Sequence, residues 1–291
     1  MNKYWLTLLI LLPFFSHGQD NQNRLGLSEN QYKLYIEGFE RVRRDPKAAI
    51  VIYDSLLKEK PNFCKAIIGL AYAYYHDHNL QSSKYYFKRG LLCYPNKPLC
   101  YHQLSQIYRE EEEYDSAEYI LLEYIENQEE DLDNLITEYA ELGKITRAKN
   151  QYHKSVEYLT EAINRYTNEY KDLNSYAELF FLRADSYSTI DEPEKALKDI
   201  LEFEKLKPGD MRALALGGDI LQDMGKYEES NKVLFDYLKN PTNLGENWVN
   251  YLIGINYYVL NEKELACKHF KIAKALGYDN PILMEYLKEC E

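Results

Sequence analysis

A small side chain returns every 34 residues in the first half of the chain, at Ala49, Ser83 and Ala117, and four positions after each stands a large one, Tyr53, Phe87 and Leu121. The block recurs at Ser155/Leu159, Ala196/Ile200, Ser230/Leu234 and Ala266/Phe270. Self-similarity at such a period marks a stacked array of one supersecondary unit, in which no unit buries its apolar face alone. With the small residue at position 20, the units run 30–63, 64–97, 98–131, 136–169, 177–210, 211–244 and 247–280. Position 8 is then Glu37, Ala71, Ser105, Gly143, Ala184, Gly218 and Gly254, small in all but the first. Position 11 is tyrosine in four units (Tyr74, Tyr108, Tyr187, Tyr257), and position 32 is proline in three (Pro61, Pro95, Pro208).

The pattern is steric. Two antiparallel helices approach closely only where a small side chain sits at the crossing, which accounts for positions 8 and 20. Large residues one turn away lie on the same face and fill the space beside the crossing. Proline just past the second helix stops its growth, because it lacks the N–H and clashes with the preceding turn.

On these residues the chain resembles the tetratricopeptide repeat (TPR) proteins. The closest matches to the family pattern are 64–97 (Leu70, Ala71, Tyr74, Ser83, Phe87, Gly90, Pro95) and 98–131 (Leu104, Ser105, Tyr108, Tyr114, Ala117); 211–244 adds Gly218, Gly225, Tyr227 and Ser230. The resemblance implies an all-α, right-handed superhelical solenoid of antiparallel helix pairs over 30–280. It departs from the family at position 7, which is Arg183 in the fifth unit. It departs again at position 27, where Tyr124, Phe203 and Tyr237 replace a small residue; those pairs are expected to open somewhat.

Two intervals exceed the period: Ala117 to Ser155 is 38 residues and Ser155 to Ala196 is 41. The excesses are close to whole helical turns, and the intervening text has no proline, so lengthened helices near 132–149 and 151–170 are expected. PTNLGEN (241–247) absorbs the smaller excess near the end, and 281–291, opening on Pro281, reads as a helix capping the last unit.

The chain begins MNKYWLTLLILLPFFSHGQD: one lysine, an apolar run from Trp5 to Phe15, then small residues. This is the plan of a secretory signal peptide over 1–18, cut after Gly18, followed by a lead-in over 19–29. The run is short for a membrane span, so membrane contact is expected only through a partner or an uncleaved anchor. The expected location is the periplasm or cell envelope of a bacterium, or otherwise the exterior. The formal net charge is −12 and no basic patch stands out, which argues against nucleic acid as partner. The five cysteines, Cys64, Cys93, Cys100, Cys267 and Cys290, show no framework spacing. Buried free thiols are expected, with a Cys93–Cys100 or Cys64–Cys100 bridge as the alternative.

No reaction chemistry is evident. His76-Asp77-His78, with His102 one unit on, has the residue types of a metal site, but side chains two apart at a helix end diverge. REEEEYD (109–115) lacks the glycine and alternating ligands of a calcium loop. No GxSxG, HExxH, GxGxxG or GxxxxGK motif occurs. Catalytic residues, metal ligands and cofactors are therefore not expected.

By the family's geometry, positions 2, 5, 9, 12 and 13 of each first helix line the concave surface. The binding candidates are Lys65, Ile68, Tyr72, Tyr75, His102, Gln106, Arg109, Lys144, Arg147, Phe181, Asp185, Asp219, Trp248, Tyr251 and Tyr258. Aromatic anchors among scattered charges suit an extended peptide or a protein surface. The carboxylate clamp of some family members has no equivalent, since those places hold Ile68, Tyr72, His102 and Gln106. The expected function is a non-catalytic interaction scaffold or adaptor. A structural subunit of an envelope complex, held by its outer edges and long central helices, and a glycan- or small-ligand-binding module are the alternatives.

Overall fold

A computed structural model describes residues 25–95, 97–127, 135–166, 173–239 and 245–290. The expected signal segment lies outside them. Among the described residues the secondary structure is helical throughout, in fifteen helices, and none is long and apolar enough to cross a membrane.

The chain divides into two compact units, residues 1–128 and 129–291. Unit 1 holds α1 (Glu29–Arg41), α2 (Pro46–Glu59), α3 (Cys64–His76), α4 (Leu80–Cys93), α5 (Pro98–Glu110) and α6 (Tyr114–Glu126). Unit 2 holds α7 (Ile136–Ala148), α8 (Tyr152–Asn164), α9 (Leu173–Thr189), α10 (Pro193–Leu206), α11 (Met211–Asp223) and α12 (Tyr227–Lys239). It continues with α13 (Glu246–Val259), α14 (Lys263–Ala275) and α15 (Pro281–Lys288). Within each unit every helix packs on the next. First helices of successive pairs also touch, α1 on α3 in unit 1 and α7, α9, α11 and α13 in series in unit 2.

The crossings explain the periodic small residues. Ala49, Ala71, Ser83, Ser105, Ala117, Gly143, Ser155, Ala184, Ala196, Gly218, Ser230, Gly254 and Ala266 are all buried. A Cβ on Gly143 would lie 2.6 Å from Leu159 Cγ, and one on Gly254 2.5 Å from the Phe270 ring. In the first pair the crossing residue is Gly38, against Tyr53, while Glu37 is exposed; the pair is one residue out of the common register. Where position 20 is serine, its hydroxyl donates to the carbonyl twelve residues earlier on the partner helix. Ser83 reaches Ala71 O at 2.9 Å, Ser155 reaches Gly143 O at 2.8 Å and Ser230 reaches Gly218 O at 2.7 Å. These bonds satisfy a buried hydroxyl and fix the helix pair axially.

The turn is equally regular inside six of the seven pairs, all but the first. His78, Glu112, Asn150, Asp191 and Asn261 have φ between 58° and 61°, and Gly225 has φ 72°. Each is followed by a residue whose N–H donates to the carbonyl five residues back, for example Asn79 to Tyr74 and Glu113 to Tyr108 at 2.9 and 2.8 Å. This is a Schellman ending, which requires a left-handed residue at that one place.

Two expectations need correction. First, α7 and α8 have 13 residues each, so neither is lengthened; part of the second excess lies instead in the start of α9, and 128–134 and 167–172 lie outside the described residues. The helix α8 stops at Asn164, which lets Tyr166 stack on Tyr176 at 3.8 Å and Arg165 lie over Tyr139. Only α9, with 17 residues, is long. Second, the cysteines are paired differently. Cys64–Cys93 joins the first residue of α3 to the last of α4, and Cys267–Cys290 ties α14 to the C-terminal segment. Antiparallel pairing brings the outer ends of α3 and α4 to a Cα separation of 5.8 Å, within disulfide range. Cys100 remains free and buried, and burial pushes its thiol up to about 12. At position 27, Tyr124, Phe203 and Tyr237 are 6%, 0% and 4% exposed: these large residues are accommodated in the core.

Arg183, out of pattern at position 7, is also accommodated. Its guanidinium donates to both carboxylate oxygens of Asp199 on α10 at 2.7 and 2.8 Å and to Thr160 Oγ1 on α8 at 3.0 Å.

Candidate interaction faces on the first helices

In unit 1 the candidates come from α3 and α5. Lys65 is half-buried, and burial followed by the nearby Lys97 lowers its ammonium from the ordinary lysine range. Ile68 is 9% exposed and packs with Phe87 and Leu104. Tyr72 meets Phe87 edge-on at 5.0 Å, and burial drives its phenol well up. Ile68 is buried in the core, which corrects its assignment to a free surface, and Tyr72 is half-buried against the same cluster. Tyr75 Oη donates to Glu110 Oε1 at 2.6 Å. Gln106 accepts from Gln103 at 3.0 Å, and His102 and Arg109 are half-buried.

In unit 2, Lys144 pairs with Glu141 at 3.1 Å and Arg147 with Asp185. Phe181 lies beneath Arg212, whose guanidinium is 4.9 Å from the ring centroid and binds Glu178 through two nitrogens at 2.8 and 2.9 Å. Lys207 also reaches Glu178 at 2.7 Å. Burial works to raise the Glu178 carboxyl, but its bonds to Arg212 and Lys207 outweigh it and hold it at about 2. Trp248 packs half-buried with Val249 and Leu252. Tyr251 stacks on Tyr278 at 4.7 Å, and Tyr258 donates to Glu289 at 3.1 Å and meets Tyr286 edge-on.

Most candidates are thus engaged by the chain itself. Arg147–Asp185, Glu178–Arg212 and Tyr75–Glu110 each join first helices of successive pairs, and Tyr251 and Tyr258 are held by the segment around α15. Asp219 differs. It is half-buried on α11, forms no ion pair with a described residue, and burial followed by Asp223 one turn on pushes its carboxyl up to about 6. Sequence reasoning included Asp219 but could not separate it from its paired neighbours, because pairing between helices is invisible to the repeat pattern.

His78 occupies the left-handed turn position and His76 the end of α3. Among the described residues no three His, Cys, Asp or Glu side chains gather as a metal-binding group.

The sequence matches no family model and no curated relative. Solved structures do match. The C-terminal part of a TPR repeat-containing protein from Cytophaga hutchinsonii superposes with TM-score 0.70 at 13% identity, over 87% of this chain and 99% of that one. A TPR protein from Parabacteroides merdae gives 0.59 at 16% identity, over 90% and 98%. YrrB, described as a TPR protein with an unusual peptide-binding site, gives 0.58 at 16% identity, over 69% and 97%. With helix pairs, small-residue crossings and these structural neighbours in agreement, the fold is the all-α solenoid of the tetratricopeptide repeat proteins.

Proposed function

We propose that this is an exported, non-catalytic interaction scaffold that binds a basic peptide or protein segment on the first-helix face of unit 2. The observation that carries it is Asp219, a half-buried carboxylate without a described cation, beside a second carboxylate at Asp223 and on a face where Lys144, Arg147, Glu178, Asp185 and Arg212 are all in ion pairs. A cation supplied by a partner lowers the free energy of that carboxylate, as Arg212 and Lys207 do for Glu178. Two disulfides support export, since such bonds persist in oxidising compartments, and the apolar N-terminal run agrees with it. In a bacterium the location would be the periplasm or cell envelope. The structure of YrrB, whose description names a peptide-binding site, supports the same kind of ligand.

The alternatives draw less support. For an envelope subunit held by its outer edges and long central helices, α7 and α8 are of ordinary length and α9 alone among the described helices is long. For a glycan or small ligand, Trp248 and Tyr251 are packed against neighbours, while Tyr258 is 38% exposed.

The test uses arrayed peptides carrying one Lys or Arg between apolar residues. Binding is expected to need the cation and to fall roughly tenfold in Asp219→Asn, the usual scale for a charge pair losing one partner. The same variant should be more stable. The folded-state pKa of Asp219, about 6, lies above the ordinary aspartate value, so the folded chain takes up a proton the unfolded chain does not. Stability contributed by this group is present at low pH and is lost as pH rises through about 6. Asp219→Asn therefore raises the unfolding midpoint at neutral pH, and the gain disappears on acidification below the ordinary aspartate range. Binding that survives the substitution, or peptides selected without a cation, would overturn the proposal.

A further inference from the structure

We propose that the outer face of unit 1 is self-complementary and pairs two copies of this chain about a two-fold axis. Each second helix of unit 1 presents an exposed apolar side chain at one register: Val51 on α2, Tyr85 on α4 and Tyr119 on α6, which are 68%, 61% and 66% exposed. Leu92, two turns beyond Tyr85 on α4, is 85% exposed. The same register in unit 2 carries Glu157, Lys198, Lys232 and Lys268, all exposed. The apolar row is therefore a property of unit 1 and not of the repeat. A single exposed apolar residue is ordinary, whereas a row in register across three successive helix pairs marks an interaction patch.

Charge along the row selects the occupant. Residues 43–60, with α2, expose Arg43, Arg44, Lys47 and Lys58 against Asp45 and Glu59; on α4 Lys88 is exposed while Lys84 is buried against Glu111 and Glu113; along α6 Asp115 and Glu126 are exposed and Glu123 is half-exposed, with no basic side chain over 110–126. A two-fold axis through Tyr85 lays α2 of one copy over α6 of the other, so the basic end meets the acidic end twice. In such a contact each residue pair occurs twice by symmetry. A parallel arrangement would set the acidic α6 ends against each other and is disfavoured. Beside Tyr119 lies a recess of about 460 Å³ lined by Lys88, Tyr108, Ile120 and Glu123; the two-fold places Val51 of the second copy opposite it.

Sedimentation velocity over a concentration series tests this. The expected result is a monomer–dimer equilibrium that weakens as salt is raised, because exposed charges are screened. Tyr85→Glu sets a carboxylate against its own symmetry copy and should leave only monomer, with unchanged helical circular dichroism. Lys58→Glu and Glu123→Lys should each weaken the dimer roughly tenfold, since each change acts twice. Mixing the two should restore it, because each altered end then meets its complement. Tyr85→Cys should cross-link to itself under oxidised glutathione. Monomer at every concentration, open-ended polymers, a dimer indifferent to Tyr85→Glu, or failure to recover on mixing would each overturn the proposal, as would capture of a different protein on this face by a chain that never self-associates.

Discussion

At the scale of single residues, the left-handed turn position separates what side-chain spacing reveals from what it hides. Counting small and large residues finds the crossings at Ala117 and Ser155, because packing selects side chains by volume. It does not find the turn, because the requirement there is on φ, and only Gly225 meets it with glycine. Asn150, Asp191 and Asn261 tolerate the conformation through short polar side chains, but Glu112, with φ 59°, has no such relief. Glu112→Gly should therefore stabilise the chain by about 1 kcal/mol, the left-handed penalty of ~1–2 kcal/mol less the extra entropy glycine loses on folding. A urea titration with a raised midpoint and unchanged slope would bear this out, whereas a lowered midpoint would mean the turn is not left-handed. Asn150→Gly is the control and should move the midpoint much less.

At the scale of helices, Arg183 shows how a departure from the pattern can be seen in sequence while its remedy cannot. Position 7 faces the core in the other units, so an arginine there is conspicuous. Its partner Asp199 stands sixteen residues on, across the antiparallel pair, and its third contact, Thr160, belongs to the preceding pair. With side-chain exposures of 14% and 4%, the two charges are almost enclosed. Removing one partner strands the other in a medium that solvates it poorly, so Asp199→Ala should destabilise by about 3–5 kcal/mol. Replacing both, in Arg183→Leu/Asp199→Leu, should recover most of that loss, since an apolar pair of similar volume carries no desolvation penalty. If the double variant is as unstable as the single one, the ion pair has a structural role that apolar packing cannot replace. The lengths of α7 and α8 escape the sequence for a related reason: spacing between equivalent positions counts residues without saying whether they are helical.

At the scale of the whole molecule, each unit carries one disulfide, and both close a helical element at its outer end. Cys64 and Cys93 close a single helix pair, and the pairing follows directly once antiparallel helices are assumed; cysteine spacing alone does not suggest it. Cys267–Cys290 holds the C-terminal helix α15 in place, together with its packing on α14 and the stacking of Tyr286 on Phe270 at 4.8 Å. The bonds span 29 and 23 residues, loops whose closure removes about 3 kcal/mol of unfolded-chain freedom each. Cys267→Ser/Cys290→Ser should therefore raise hydrogen exchange across Pro281–Lys288 before any other helix of unit 2, because an eight-residue helix has little stability of its own. A thiol reductant should reproduce that local effect in the unaltered chain and lower the overall unfolding temperature as well, through the loss of Cys64–Cys93. An unfolding temperature and exchange pattern indifferent to reductant would mean the thiols are unpaired as the chain exists in solution. The proposal of an exported protein would then rest on the N-terminal apolar run alone.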